Sequence, residues 1–240
     1  MTNVHIILQG KGGIGKTIVA TIIAQYLKDK GGIPLCLDTD PINASFASFP
    51  ALKAIQVELM DNNQIHQARF DDMMEQILAS EQDVVVDSGA SSFIPISTYL
   101  IENEVVRVLS EAGKQVTIHS VIAGGLALDN TLSDFRQVAK QLPKEAAILV
   151  WLNEYFGPIQ ANGKQFSDMK VYNEVKERVS GVIRIPEQRS DTFRDDIHRM
   201  LDKRLTFSET QQDETFRLMS KQRLKMVQRN LYEQIEPVLA

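Results

Sequence analysis

Apolar positions along this chain follow two periods that alternate. Residues 4–8, 33–37, 83–87, 115–122, 146–152 and 181–185 form short, nearly continuous apolar runs, the pattern of strands buried on both faces. Between them apolar residues recur every three or four positions, as at Phe70, Met73, Met74, Ile77 and Leu78. That spacing predicts helices over 17–28, 70–78, 96–111, 126–141 and 167–178. Residues 43–66 follow neither period, and beyond Pro186 the pattern is helical only. The alternation predicts an α/β fold: a single three-layer domain with a mostly parallel twisted sheet and helices on both faces. It is expected to span 1–240, with 190–240 a helical part packed on it, since no repeat, linker or low-complexity tract interrupts the chain.

The last helical stretch has two readings. Phe216, Leu224, Val227, Leu231 and Ile235 share one face, with Lys221, Lys225 and Arg229 as a basic stripe beside it. A basic amphipathic helix suits a membrane surface. Glu233 and Glu236 dilute that character, and an Arg229–Glu233 pair at i,i+4 suits a solvated flank, so packing on the domain is favoured over membrane contact.

Composition narrows the classes. The chain has 240 residues, enough to bury a substantial core, and 43% apolar with 24% charged content describes an ordinary globular protein. A net charge of −5 argues against strong bulk binding of nucleic acid, leaving room only for a local basic patch. Cys36 is the only cysteine, which excludes an intrachain disulfide and an iron–sulfur cluster shared between subunits. Set between Leu35 and Leu37, it reads as a buried core thiol. His5, His66, His119 and His198 lack metal-ligand spacing and read as structural or solvent-facing. No apolar run approaches the roughly 20 residues of a membrane span, and no signal peptide precedes the first strand, so a cytoplasmic location is expected.

The densest chemistry lies in Gly10-Lys11-Gly12-Gly13-Ile14-Gly15-Lys16-Thr17, between the first strand and its helix. G-x-x-x-x-G-K-[ST] in that context is a phosphate-binding loop, and it makes the fold a P-loop NTPase. Its glycines let successive N–H groups converge on an anion at the positive end of a helix. Lys16 then reaches the β- and γ-phosphates of a nucleotide, and the Thr17 hydroxyl ligates Mg²⁺.

Acids end two later strands. Asp87 is placed to orient Mg²⁺, here through a water, and Asp38 and Asp40 stand where doubly wound sheets put their ligands. The competing reading of Asp38-Thr39-Asp40-Pro41 is a polar turn. Gly89, among the small residues 88–92, permits a backbone that approaches and senses a γ-phosphate. Asn153, ending another strand, carries an amide able to read an adenine edge or to cap the next turn. Asn153 lacks the acid of the guanine motif N-K-x-D, which favours ATP. Gly124-Gly125 reads as a helix entry turn before a second anion site.

The loop with its extra Lys11 resembles the deviant Walker A signature of the ParA/MinD superfamily. That resemblance implies a homodimer formed with ATP, in which Lys11 crosses onto the partner's nucleotide. It implies that Asp40 positions the attacking water, and that Asn153, Ile185 and Pro186 surround the base. Lys11, Lys16 and Asp40 are then the catalytic set. The Asp87-Ser88-Gly89-Ala90-Ser91-Ser92 segment departs from the diproline common in that superfamily. Over its whole length the chain is similar to the TraL-type ATPases of conjugal transfer, through Leu8–Gly13, Leu35–Pro41, Asp87–Phe93, Trp151–Asn153 and Arg223–Val227. This implies a slow Mg²⁺-dependent ATPase acting as a dimerising switch in plasmid or integrative-element transfer, with a conjugation or DNA-processing protein as partner. The alternatives are a plasmid partition ATPase, a metabolic enzyme that uses ATP to activate a small substrate, and a nucleotide-binding scaffold with little turnover.

Overall fold

The computed structural model describes residues 2–61, 64–66, 68–187 and 191–239. Seven strands form one sheet: β1 (Thr2–Ile7), β2 (Leu35–Asp38), β3 (Ile55–Gln56), β4 (Val84–Asp87), β5 (Lys114–Ala123), β6 (Ala147–Asn153) and β7 (Val179–Ile185). Their order across the sheet is β7-β6-β5-β1-β4-β2-β3, and every neighbouring pair is parallel. The chain therefore leaves β1 for one half of the sheet, then crosses it to build the other half. A switch of that kind opens a crevice at the carboxyl ends of the central strands.

Helices cover both faces, as parallel strands require. On one face lie α2 (Ala68–Ala79), α3 (Phe93–Glu102), α4 (Val105–Glu111), α5 (Leu128–Gln141) and α6 (Lys170–Val175). On the other lie α1 (Lys16–Asp29), α7 (Asp191–Asp202), α8 (Phe207–Gln212) and α9 (Leu218–Leu239). Strand residues alternate between the two: Val84 and Val86 face α2 and α3, while Val85 faces α1. Cys36 is buried, and burial pushes its thiol up to about 12.

Several elements differ from the expected ones. The helix expected over 96–111 is two, α3 and α4, broken where Glu104 takes φ 48. The helix expected over 167–178 shrinks to α6 between two 3-10 turns, Phe166–Asp168 and Lys176–Arg178. The region 43–66 contributes the edge strand β3 and a short antiparallel pairing of Met60–Asp61 with Gln64–Ile65. Met1, Ser190 and Ala240, at the expected domain and subdomain ends, lie outside the described residues. Gly124 meets the adjoining loop so closely that a side chain there would fall 2.2 Å from the Gly157 carbonyl oxygen, which accounts for it by packing.

α9 turns Leu224, Leu231 and Ile235 into the core. Its charged flank carries the expected Arg229–Glu233 pair, at 3.8 Å and exposed. Lys30 and Glu236 pair between α1 and α9, and the Tyr232 hydroxyl donates to Asp29. Among the described residues no helix is long and apolar enough to cross a membrane.

Two of the four histidines are fully enclosed by the sheet. Trp151 Nε1 donates to His119 Nδ1 at 3.0 Å, and His119 Nε2 lies 3.1 Å from His5 Nδ1. Burial holds His119 well below the usual histidine range and pushes His5 down to about 4. With both rings neutral, His119 accepts from Trp151 and donates to His5.

Because the folded pKa of His5 is depressed, its contribution to stability is complete above about 6.5 and is lost as pH falls toward 4. The stability advantage of wild type over His5→Asn is therefore expected to shrink by about 1.4 kcal/mol per pH unit below 6.5. Urea denaturation of both proteins at pH 7.5, 6 and 5 measures it.

Candidate nucleotide site

The phosphate loop leaves β1 and enters α1 through Gly15, whose φ of 95 makes it a left-handed N-cap. That conformation favours glycine, and a Cβ there would also sit 2.7 Å from Asn153 Nδ2. The loop is anchored from both sides. Gly10 N donates to Asp134 Oδ2 at 3.1 Å, and Gln9 Nε2 donates to the same oxygen at 3.0 Å. From the opposite side Asn153 Nδ2 donates to the Ile14 carbonyl oxygen at 2.8 Å.

Within the loop the two lysines differ. Lys16 is buried, and its Nζ donates to the Lys11 carbonyl oxygen at 3.0 Å. Burial lowers the Lys16 pKa, opposed by the charges of Asp87, Asp40 and Asp134. The Lys11 side chain is exposed and makes no ion pair among the described residues.

Asp87 closes β4 beside it. The register sets Asp87 opposite Ile7 of β1 on one side and Asp38 of β2 on the other. Thr17 Oγ1 donates to Asp87 Oδ2 at 2.6 Å. Asp87 Oδ1 is buried with no hydrogen-bond partner. Burial pushes the Asp87 pKa up to about 7, the Thr17 hydrogen bond opposing it. A buried carboxylate with an orphaned oxygen beside a threonine hydroxyl suits Mg²⁺, which takes few protein ligands and completes its shell with water and phosphate oxygens.

The two acids at the carboxyl end of β2 separate into distinct roles. Asp38 is fully buried and takes three backbone N–H groups, from Asp40 at 3.0 Å, Phe46 at 2.8 Å and Ala47 at 2.9 Å. It shapes the loop after β2. Asp40 lines the phosphate cavity with Lys16, Thr17 and Ser88, and its Oδ1 accepts from Ile42 and Asn43 in a local turn. Polar-turn geometry and a place in the cavity therefore coexist at Asp40.

Gly89 is pressed against Asp40. A Cβ at Gly89 would come within 2.9 Å of the Asp40 Cα. Thr39 Oγ1 donates to the Asp87 carbonyl oxygen, Ser92 Oγ to that of Thr39, and Ser88 Oγ to that of Ile7. These bonds stitch the 87–92 segment to the ends of β1 and β2.

Next to the phosphate end opens an apolar cavity of about 320 Å³. It brings together Asn153, Ile185 and Pro186, the three positions expected around a base, with Gly15 and Ile18 of the loop and helix. Met226, Val227 and Asn230 of α9 complete it. Asn153 is more tightly engaged than its spacing suggests: besides the bond to Ile14, its Oδ1 accepts from Tyr155 N at 3.2 Å, so it caps the following turn. One amide hydrogen and one lone pair remain for a ligand.

Asp134, Gln9 and Arg204 are site residues that sequence reasoning missed. Asp134 lies on α5, more than 120 positions from the loop it holds, and Arg204 lines the phosphate cavity from the turn after α7. No local motif marks either one. Gln9 precedes the loop and is fully buried, bonded to Ser120 and to the Thr131 carbonyl oxygen. Its place before the first motif glycine was the only available signal.

Residues 5–199 match the family of CobQ/CobB/MinD/ParA nucleotide-binding domains. Two proteins called TraL, both from Escherichia coli, are 48% and 45% identical over 236 residues, covering 98% of this chain and 98% of each relative. Among solved structures, a chain of the MinC:MinD cell division protein complex of Aquifex aeolicus aligns with a TM-score of 0.56 at 14% identity, covering 97% of this chain and 96% of that one. The Pyrococcus furiosus cell division ATPase MinD aligns with a TM-score of 0.55 at 17% identity over 100% of both chains. At such identities these structures speak for the fold. A loop, a buried acid and a base-sized cavity at one end of a parallel sheet agree with the sequence match: the chain belongs to the CobQ/CobB/MinD/ParA nucleotide-binding domain family.

Proposed function

We propose that this protein is a Mg²⁺-dependent ATPase that works as an ATP-dependent homodimer. The observation that carries the reading is Thr17 Oγ1 at 2.6 Å from Asp87, whose second oxygen is buried without a partner, at the mouth of a phosphate loop containing Lys16. Thr17 would ligate Mg²⁺ and Asp87 would orient it through a water, and the ion would supply charge to offset that of the phosphates. Gly12, Gly13, Ile14 and Gly15 present backbone N–H groups to the phosphates, Gly10 anchors the loop through its bond to Asp134, and Lys16 meets the β- and γ-oxygens. The base enters the apolar cavity by Asn153, Ile185 and Pro186. Asp40, in the phosphate cavity, positions the attacking water.

Support for pairing comes from what the carboxyl end of the sheet exposes. Lys11 projects there without an ion-pair partner among the described residues. Ile42, Ile94 and Leu126, in the segments that follow β2, β4 and β5, are 72%, 66% and 104% exposed. Large exposed apolar side chains and an exposed cation, all following strands at the carboxyl end of the sheet, suit a face that a second copy covers. Lys11 would then offset transition-state charge on the partner's nucleotide. The match to proteins called TraL, taken with the likeness to conjugal-transfer ATPases, supports a role in plasmid or integrative-element DNA transfer, in the cytoplasm, with another transfer protein as partner.

Lys11→Ala is expected to bind Mg²⁺–ATP with near wild-type affinity, to sediment as a monomer with ATP, and to lose roughly 10³-fold in turnover. An unchanged ATP dimer of this variant in analytical ultracentrifugation would remove Lys11 from the interface. Asp40→Ala is expected to lower single-turnover hydrolysis by roughly 10²-fold or more while retaining the ATP dimer. Normal phosphate release in a quenched-flow assay would show that Asp40 takes no part.

A further inference from the structure

We infer that Arg204 is a nucleotide-binding residue, supplied by the helical C-terminal part to hold the inner phosphates of the bound nucleotide in cis. The inference rests on the ATP reading above and adds a residue to it.

α7 ends in a Schellman turn: Leu205 N donates to the Met200 carbonyl oxygen and Arg204 N to that of Leu201, both at 3.0 Å. This turn needs its C′ residue in the left-handed region, and Arg204 has φ 55 there. Glycine or asparagine is usual at such a position, because a Cβ crowds the backbone. An arginine in that place is disfavoured locally, and the turn makes little use of its side chain. The guanidinium has one long hydrogen bond, 3.4 Å to the Leu201 carbonyl oxygen, and no carboxylate lies within 4.0 Å of it among the described residues.

Its surroundings point to a ligand. The Arg204 Cζ lies 5.9 Å from the centre of the Phe49 ring, and both residues line the cavity that contains Lys16, Thr17, Asp40 and Ser88. Phe49 belongs to the loop that Asp38 shapes through Phe46 and Ala47, so the ring under the guanidinium is fixed from β2. Leu201, three residues before Arg204, lines this cavity and the base cavity alike, as does Ile18. Leu201 and Ile18 thus mark the junction of the two, and Arg204 lines the phosphate cavity beside it. With a γ-phosphate at Lys16 and a base at Asn153, the α- and β-phosphates pass through that junction. Asp40 and Asp87 already offset the charge of Lys16, and a polyphosphate needs a further cation. A planar guanidinium with forked donors is suited to phosphate oxygens.

The test uses the full-length protein and calorimetric titration with Mg²⁺–ADP and Mg²⁺–ATP. Arg204→Gly suits the left-handed turn, so its thermal midpoint should equal or exceed that of wild type. Its affinity should fall by about tenfold to a hundredfold, equally for the two nucleotides, as expected for loss of a charge-assisted hydrogen bond. Arg204→Lys keeps the charge and loses the fork, and should fall between. Wild-type affinity of Arg204→Gly for both nucleotides overturns the inference. A loss confined to ATP also overturns it, because that would put the guanidinium on the γ-phosphate. Wild type that binds neither nucleotide would instead sink the ATP reading itself, and this inference with it.

Discussion

A carboxylate buried near the middle of a parallel sheet is the constraint on which the site depends. Asp87 is 2% exposed and flanked by strand ends on both sides, and burial raises its pKa to about 7. An unpaired charge there is costly unless hydrogen bonds or counter-charges meet it. The fold brings both: the Thr17 hydroxyl from α1 and the ammonium of Lys16, the latter countering the upward shift. Because strand side chains alternate, Asp87 shares the α1 face with Val85, and Asp38 shares it with Cys36. A slip of one residue in β4 would turn Asp87 toward α3 and the apolar cluster beneath it. Register, and not the acid alone, therefore makes this a site.

The same constraint ties the loops at the strand ends to one another. β4 lies between β1 and β2, so the phosphate loop from β1 and the acidic loop from β2 converge on it. Thr39, Ser88 and Ser92 then tie the three strand ends together through backbone carbonyls. Gly89 leaves Asp40 no room to withdraw toward β4. A displacement of the 87–92 segment would carry Asp40 with it, which is the mechanical coupling a phosphate-sensing segment requires.

What was legible in the sequence followed the range of the interactions. The phosphate loop is a local spacing inside eight residues, and Asp87 ends a local apolar run, so both could be read directly. Periodicity also found most strands and helices. It failed where a period continues through a change of backbone: helical spacing runs across 96–111, yet Glu104 at φ 48 divides it. Phe166, Met169 and Val175 are all buried, but Phe166 comes from a 3-10 turn and Met169 from the junction after it. Their spacing imitates one longer helix. Asp134 and Arg204 reach the site only through tertiary packing, from a helix and a helix-end turn far along the chain, and no window of sequence contains that information. At Asn153 the residue was readable and its partners were not: the amide that suits a base also holds the Ile14 carbonyl oxygen.

The C-terminal helix shows how one element serves two purposes without a third. Leu224, Leu231 and Ile235 fill the core on the α1 face, each side chain stabilising it by roughly 1.5–3 kcal/mol. The neighbouring row, Met226, Val227 and Asn230, walls the apolar cavity beside the phosphate loop. Lys225, Arg229 and Glu233 point outward, and at the amino end of the helix Leu218 and Met219 are exposed as well. Insertion of this helix into a bilayer would need the buried row, and releasing that row would open the core and the apolar cavity together. The Leu224, Leu231 and Ile235 row of the amphipathic pattern is thus engaged inside the domain. It follows that a ligand filling the apolar cavity stabilises the same contacts that hold α9 in place, and binding and folding of this helix are thermodynamically linked.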